Sequence, residues 1–123
     1  MKFAQFDQDG INLIEAYDQE HIRINGRDYR AGLVVTAETV VPDWGPRQIA
    51  DLDSGHVEAL LASQPQVVVI GTGACQQFPD PALYFSLLER GIGVEIMDTG
   101  AACRTYNILV SEGRRVVAAL ILD

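Results

Sequence analysis

Apolar residues in the first third of the chain recur in short runs broken by polar turns, the spacing of strands rather than helices. Asn12 to Tyr17 and Ile22 to Ile24 precede Asn25-Gly26, a pair that accepts the positive φ of a tight hairpin turn. Tyr29 to Thr36 is predicted as the return strand. Residues 37–53 hold Val40 and Val41 and then Pro42-Asp43-Trp44-Gly45-Pro46, in which two prolines and a glycine interrupt any ladder. This stretch reads as a loop or switchback. Asp53 or Ser54 can cap a helix over 54–63, where Val57, Leu60 and Leu61 follow the i, i+3, i+4 spacing and Pro65 ends the run.

From Val67 the pattern becomes strand, helix, strand, helix, strand. Val67 to Gly71 is a β-branched run suited to a strand covered on both faces. Asp80 followed by Pro81 caps a helix over 81–90, with Leu83, Leu87 and Leu88 on one face and Gly91 closing it. Ile92 to Met97 is the next strand. Asp98 or Thr99 then caps a third helix, which ends before Gly113, and Val116 to Leu122 is the closing strand. There are no internal repeats, and residues 1–123 read as a single domain. Two crossover units after a hairpin-rich start predict an α/β fold: three layers, a mixed β-sheet with an N-terminal β-hairpin region, and three helices.

Composition removes more chemistry than it suggests. At 48% apolar and 21% charged residues the chain has the balance of a globular protein. A net charge of −8 repels phosphate backbones, which argues against nucleic acid and in favour of a protein partner with a basic surface. Lys2 is the sole lysine, so a buried Schiff-base lysine is disfavoured. His21, His56, Cys75 and Cys103 show no metal-ligand spacing, and no metal or cofactor is expected. Cys75 reads as an exposed loop thiol and Cys103 as a small core residue. Asp7-Gln8-Asp9-Gly10 lacks the remaining ligands of a calcium loop and reads as a turn. No export or import tag is visible. The longest apolar run, Val116 to Leu122, is far short of the about 20 residues that span a membrane, so a cytoplasmic location is expected.

Two stretches carry candidate chemistry. Gly71-Thr72-Gly73 follows a buried strand, where a dinucleotide fold places its first phosphate-loop glycines, but Gln76 stands where the third glycine is needed. The second stretch is Asp98 to Asn107. On a helical projection Ala102, Tyr106, Leu109 and Val110 form the packed face, and Arg104, Asn107 and Ser111 project outward. If strands 67–71 and 92–97 are parallel, their carboxyl ends bring Gly71, Thr72, Gly73, Asp98, Thr99, Arg104 and Asn107 to one rim, the usual ligand crevice of such sheets. Helix-start amides there attract an anion, and Asp98 competes with it. No nucleophile sits in a recognisable motif. Trp44, beside Arg47, is either a plug for the sheet edge or an aromatic anchor for a partner.

Val67 to Gly73, Met97 to Leu109 (MDTGAACRTYNIL), Phe78-Pro79 and the isolated Trp44 together make the chain similar, over nearly its whole length, to a family of small α/β domains of unknown function. That family includes the mitochondrial respiratory complex I assembly factor three and an adipogenesis-associated animal protein. The resemblance implies a three-layer fold around a mixed sheet and an assembly or interaction role, and it assigns no catalytic residues or cofactor. The expected function is therefore a non-enzymatic binding or assembly module, assisting membrane or respiratory proteins, that uses the Gly71–Arg104 rim. The alternative is a small-molecule protein or minor enzyme that holds an anionic metabolite or nucleotide at the same crevice.

Overall fold

The structure, a computed structural model, describes residues 10–123. Asp7 to Asp9 and Lys2 therefore lie outside the described residues. The strands are β1 (Ile14–Tyr17), β2 (Ile22–Ile24), β3 (Arg27–Tyr29), β4 (Leu33–Val35), β5 (Val40–Pro42), β6 (Val67–Gly71), β7 (Gly93–Met97) and β8 (Val116–Leu120). The helices are α1 (Ser54–Ala59), α2 (Pro81–Glu89) and α3 (Thr99–Ser111).

A mixed five-stranded sheet in the order β5-β4-β8-β6-β7 forms the centre. β6 is parallel to both β7 and β8, because a crossover helix returns the chain to the same end each time, whereas β4 runs antiparallel to both its neighbours, β8 and β5. Each face is covered. Val67, Val69, Val116, Ala118 and Leu120 point into a core shared with α3 and the first two strands. The alternate residues Val68, Ile70, Val117, Ala119 and Ile121 point into a second core under α1 and α2. This two-sided burial is why β6 and β8 read as unbroken apolar runs. The architecture is the expected small α/β domain with a mixed sheet and three helices.

Four details differ from the sequence expectation. The strand returning from the Asn25-Gly26 turn is Arg27–Tyr29, which pairs with β2 in a separate three-stranded sheet; Leu33–Val35 belongs to the central sheet. Gly32 separates them, at a point where a side chain would come within 2.9 Å of the Leu120 carbonyl. Residues 37–53 are more than a loop: Val40–Pro42 is an edge strand, and Pro42 is tolerated at its end because it needs no ladder donor there. The helix over 54–63 is α1 followed by a tighter 3-10 turn at Leu60–Ser63, stopped by Gln64 at φ +52°. The closing strand ends at Leu120, not Leu122.

Candidate functional site

The rim at the carboxyl ends of β6 and β7 does bring the glycine bend and the start of α3 together. Asp98 caps α3 by accepting from the Ala101 amide at 2.9 Å. The next residue, Thr99, is fully buried and joins three segments. Its Oγ1 donates to the Ile121 carbonyl at 2.6 Å and accepts from the Gly73 amide at 2.8 Å, while its own amide donates to the Gly73 carbonyl at 2.9 Å. Gly71 must lack a side chain, since a Cβ there would lie 2.9 Å from Thr99 Oγ1 and 3.1 Å from the Ala102 methyl. Gly73 adopts φ +101°, and a Cβ on it would meet Asp123 at 2.6 Å.

Thr72 is spent in the same way. Its amide donates to the Met97 carbonyl, and its hydroxyl donates to the Cys75 carbonyl at 2.6 Å and accepts from the Gln77 amide. The Gly71 carbonyl, the Thr72 amide and hydroxyl, and both main-chain groups of Gly73 are therefore engaged within the fold, unlike a phosphate loop, whose amides point free into the ligand space. The surrounding charge is negative. Tyr17, whose ring lies against Gly100, has its pKa raised first by burial and then by Cys103, Asp98, Asp123 and Asp18. Asp98, Asp123 and Asp18 thus add negative charge around this phenol, while Arg47 lines the groove beside the bend. A groove of about 410 Å³ opens beside the bend, but it runs toward Arg47, Gln48 and Ile49, with Thr72, Gln77 and Asp123, rather than toward Arg104.

The outward triplet on α3 is corrected. Arg104 is exposed as expected, but Asn107 is buried and grips β1. Its Oδ1 accepts from the Ile14 amide at 2.9 Å and its Nδ2 donates to the Ile14 carbonyl at 2.8 Å, so one carboxamide replaces a neighbouring strand along β1. Ser111 is partly buried, and its hydroxyl oxygen is shielded from solvent. The cause is that α3 touches β6 and β8 below and β1 alongside, so its buried arc is wider than one amphipathic stripe. Tyr106, at the middle of that arc, donates from its hydroxyl to the Asn12 carbonyl at 2.7 Å, and burial raises its pKa.

The remaining candidates also have structural places. Cys103 is buried and its thiol is pushed up to about 12, mostly by burial, with Arg104 opposing and Asp98 reinforcing the shift. Cys75 is exposed. His56 completes a capping box with Asp53 at the start of α1: Nδ1 accepts from the Asp53 amide, and the His56 amide donates back to Asp53. Trp44 is half-buried against the second core and meets His56 edge-on at 5.7 Å. His21 pairs with Asp18 on the surface.

Sequence reasoning missed several exposed apolar side chains among the described residues. Phe78, Phe85, Leu88 and Ile108 are 65%, 54%, 46% and 60% exposed, and Leu88 therefore leaves the packed face assigned to it on α2. Ile108 follows Arg104 by one helical turn, so a cation and a bare aliphatic side chain stand together on the outer side of α3. Among the described residues no helix is long and apolar enough to cross a membrane, and no cluster of three or more potential metal ligands occurs.

The chain as a whole is similar in sequence and fold to known proteins. The chain is 34% identical over 111 residues to the NADH dehydrogenase [ubiquinone] 1 alpha subcomplex assembly factor 3 of Xenopus tropicalis, a match that covers 89% of the chain but only 60% of that protein. It is 31% identical over 111 residues to a 13 kDa major membrane protein of Francisella tularensis, covering 89% of each. A crystal structure of a Bordetella parapertussis protein superposes with a TM-score of 0.86 at 38% identity, covering 94% of this chain and 99% of that one. Residues 14–121 match the model of a protein family described as of unknown function (DUF498/DUF598), and the chain belongs to that family.

Proposed function

We propose that the chain acts as a single non-enzymatic domain in the cytoplasm that docks onto other proteins and assists the assembly of membrane or respiratory complexes. The observation that carries this reading is the division of labour on α3. Thr99, Tyr106 and Asn107 are bound inside the fold, while Arg104 and Ile108 stand exposed one turn apart. Arginine beside an apolar side chain is the composition of protein-interface anchors. In this reading Gly71, Thr72, Gly73, Asp98 and Thr99 hold the rim in shape and Arg104 makes the contact. The relatives named as complex I assembly factors support an assembly role with protein partners. A net charge of −8 favours a partner with a basic surface.

Affinity purification from cell extract with wild type, Arg104→Glu and Ile108→Asp tests the proposal. Both positions are exposed, so the variants fold, and the proposal requires that both lose the same specific partners. Retention of every partner by both variants refutes it. A metabolite held at the glycine bend is the competing reading, and it meets the Asp98 and Asp123 carboxylates and amides that are already bonded. Inorganic phosphate or a nucleotide at 100 times its dissociation constant would add about 2.7 kcal/mol of stability. A thermal-shift screen is expected to show no such rise.

A further inference from the structure

The two borders of the central sheet differ. On one side β5 is three residues long and ends at Pro42, which carries no amide hydrogen. On the other, β7 is five residues long, contains no proline, and pairs only with β6 among the described residues. The Gly93 amide donates to the Gln66 carbonyl, and Met97 gives its carbonyl to Thr72, so Gly93, Glu95 and Met97 direct their main-chain groups toward β6. By the alternation of a strand, Val94 and Ile96 direct theirs outward. One of these outward groups is covered: Gln76 Nε2 donates to the Ile96 carbonyl at 3.0 Å. That carboxamide is a replaceable guard, since it offers the same donor as the backbone of an added strand.

We propose that the outer border of β7 takes up an extended segment of a partner protein as a sixth strand, with a lysine or arginine of that segment facing Glu95. The inference rests on the protein-docking reading and locates a second contact for it. Glu95 is exposed at the middle of β7, on the same side of the sheet as Met97 and α3. This carboxylate decides the occupant. Two copies of the chain joined antiparallel through Val94 and Ile96 would set Glu95 opposite Glu95, a destabilising like-charge pair in chains that each carry −8. A basic residue at that position converts the repulsion into an attractive cross-strand pair. On the other side of the sheet α2 lies over β7 and carries Phe85 and Leu88 exposed, which suits apolar residues flanking the basic one.

The test is selection of random linear nine-residue peptides displayed on phage against the whole chain, in parallel with Glu95→Lys. Wild type is expected to enrich peptides with a central lysine or arginine between β-branched or aromatic residues, and Glu95→Lys to enrich aspartate or glutamate there. A synthetic wild-type-selected peptide should slow amide exchange at Val94 and Ile96 by about ten-fold or more, leaving the Glu95 amide, already directed to β6, unchanged. Peptides whose charge preference does not invert, or that slow other amides, overturn the proposal, as does failure to enrich any peptide. A peptide-free dimer in sedimentation with Val94 and Ile96 protected overturns it in favour of a second copy. None of these outcomes touches the Arg104 and Ile108 purification, so the edge can fail while the docking reading stands.

Discussion

Asn107→Ala removes the carboxamide that clamps α3 to β1. The carboxamide bridges 93 residues of sequence through two buried bonds of 2.9 and 2.8 Å, both to Ile14. Without it the Ile14 amide and carbonyl have no partner in a region where Ile14, Ile22 and Ile24 are sealed from solvent. A buried backbone group stripped of its partner costs about 1–3 kcal/mol, so the pair loses roughly 2–6 kcal/mol. In a chain of this length about 1 kcal/mol moves the thermal midpoint by roughly 4 °C, which gives a fall of roughly 8–24 °C. Thermal unfolding followed by circular dichroism measures it, with Arg104→Ala as a control expected to stay within about 0.5 kcal/mol of wild type. A loss below about 1 kcal/mol for Asn107→Ala would refute the clamp, because it would mean that water or a shifted β1 satisfies Ile14 equally well.

Thr99→Val keeps the side-chain shape but removes the hydroxyl shared by Gly73 and Ile121, and equilibrium unfolding in urea should show a loss of about 2–4 kcal/mol, with an unchanged midpoint counting against the joint. Thiol labelling in the native state should modify Cys75 quickly and Cys103 only after unfolding; two equally fast thiols would contradict the burial of Cys103. The same thiol sets an alkaline limit. Its folded value of about 12 exceeds the ordinary 9.0, so the fold binds the proton more tightly than the unfolded chain does. Stability from this group is complete below pH 9.0 and declines as pH rises from there toward about 12. The slope is at most about 1.4 kcal/mol per pH unit, and it should flatten in Cys103→Val; an identical alkaline profile in the variant would be the contrary result.

The second half of the fold is plain in the sequence because each element there carries its own punctuation. Asp80-Pro81 and Asp98 are caps with side-chain bonds, and the runs of β6 and β8 are buried on both faces. The first half is less legible because its boundaries depend on distant partners. Tyr29 to Thr36 looks like one strand until Gly32 is seen against the Leu120 carbonyl, a contact 88 residues away in sequence by subtraction. Strand and helix spacing gathers Gly71, Thr72, Gly73, Asp98, Thr99, Arg104 and Asn107 at one rim, but it does not give the direction of their polar atoms. Spacing brings groups together; it does not say whether they bond to one another or to a visitor. Asn107 shows the same limit. A helical projection with one buried stripe sends it outward, whereas a helix wedged between a sheet and a second strand layer buries two flanks. The run Gly100, Ala101, Ala102, Cys103 was the available signal, since small residues mark a helix approached closely on several sides.

Native-state hydrogen exchange at the Gly73 amide tests most directly whether the glycine bend is part of the framework rather than a ligand cradle. This amide donates to the buried Thr99 hydroxyl, so its exchange should be slow, opening only with the unfolding that also releases the β6 amides, and inorganic phosphate should leave it unaltered. Rapid exchange that phosphate suppresses would return the bend to the role of an anion site and remove the ground for placing recognition on the outer side of α3.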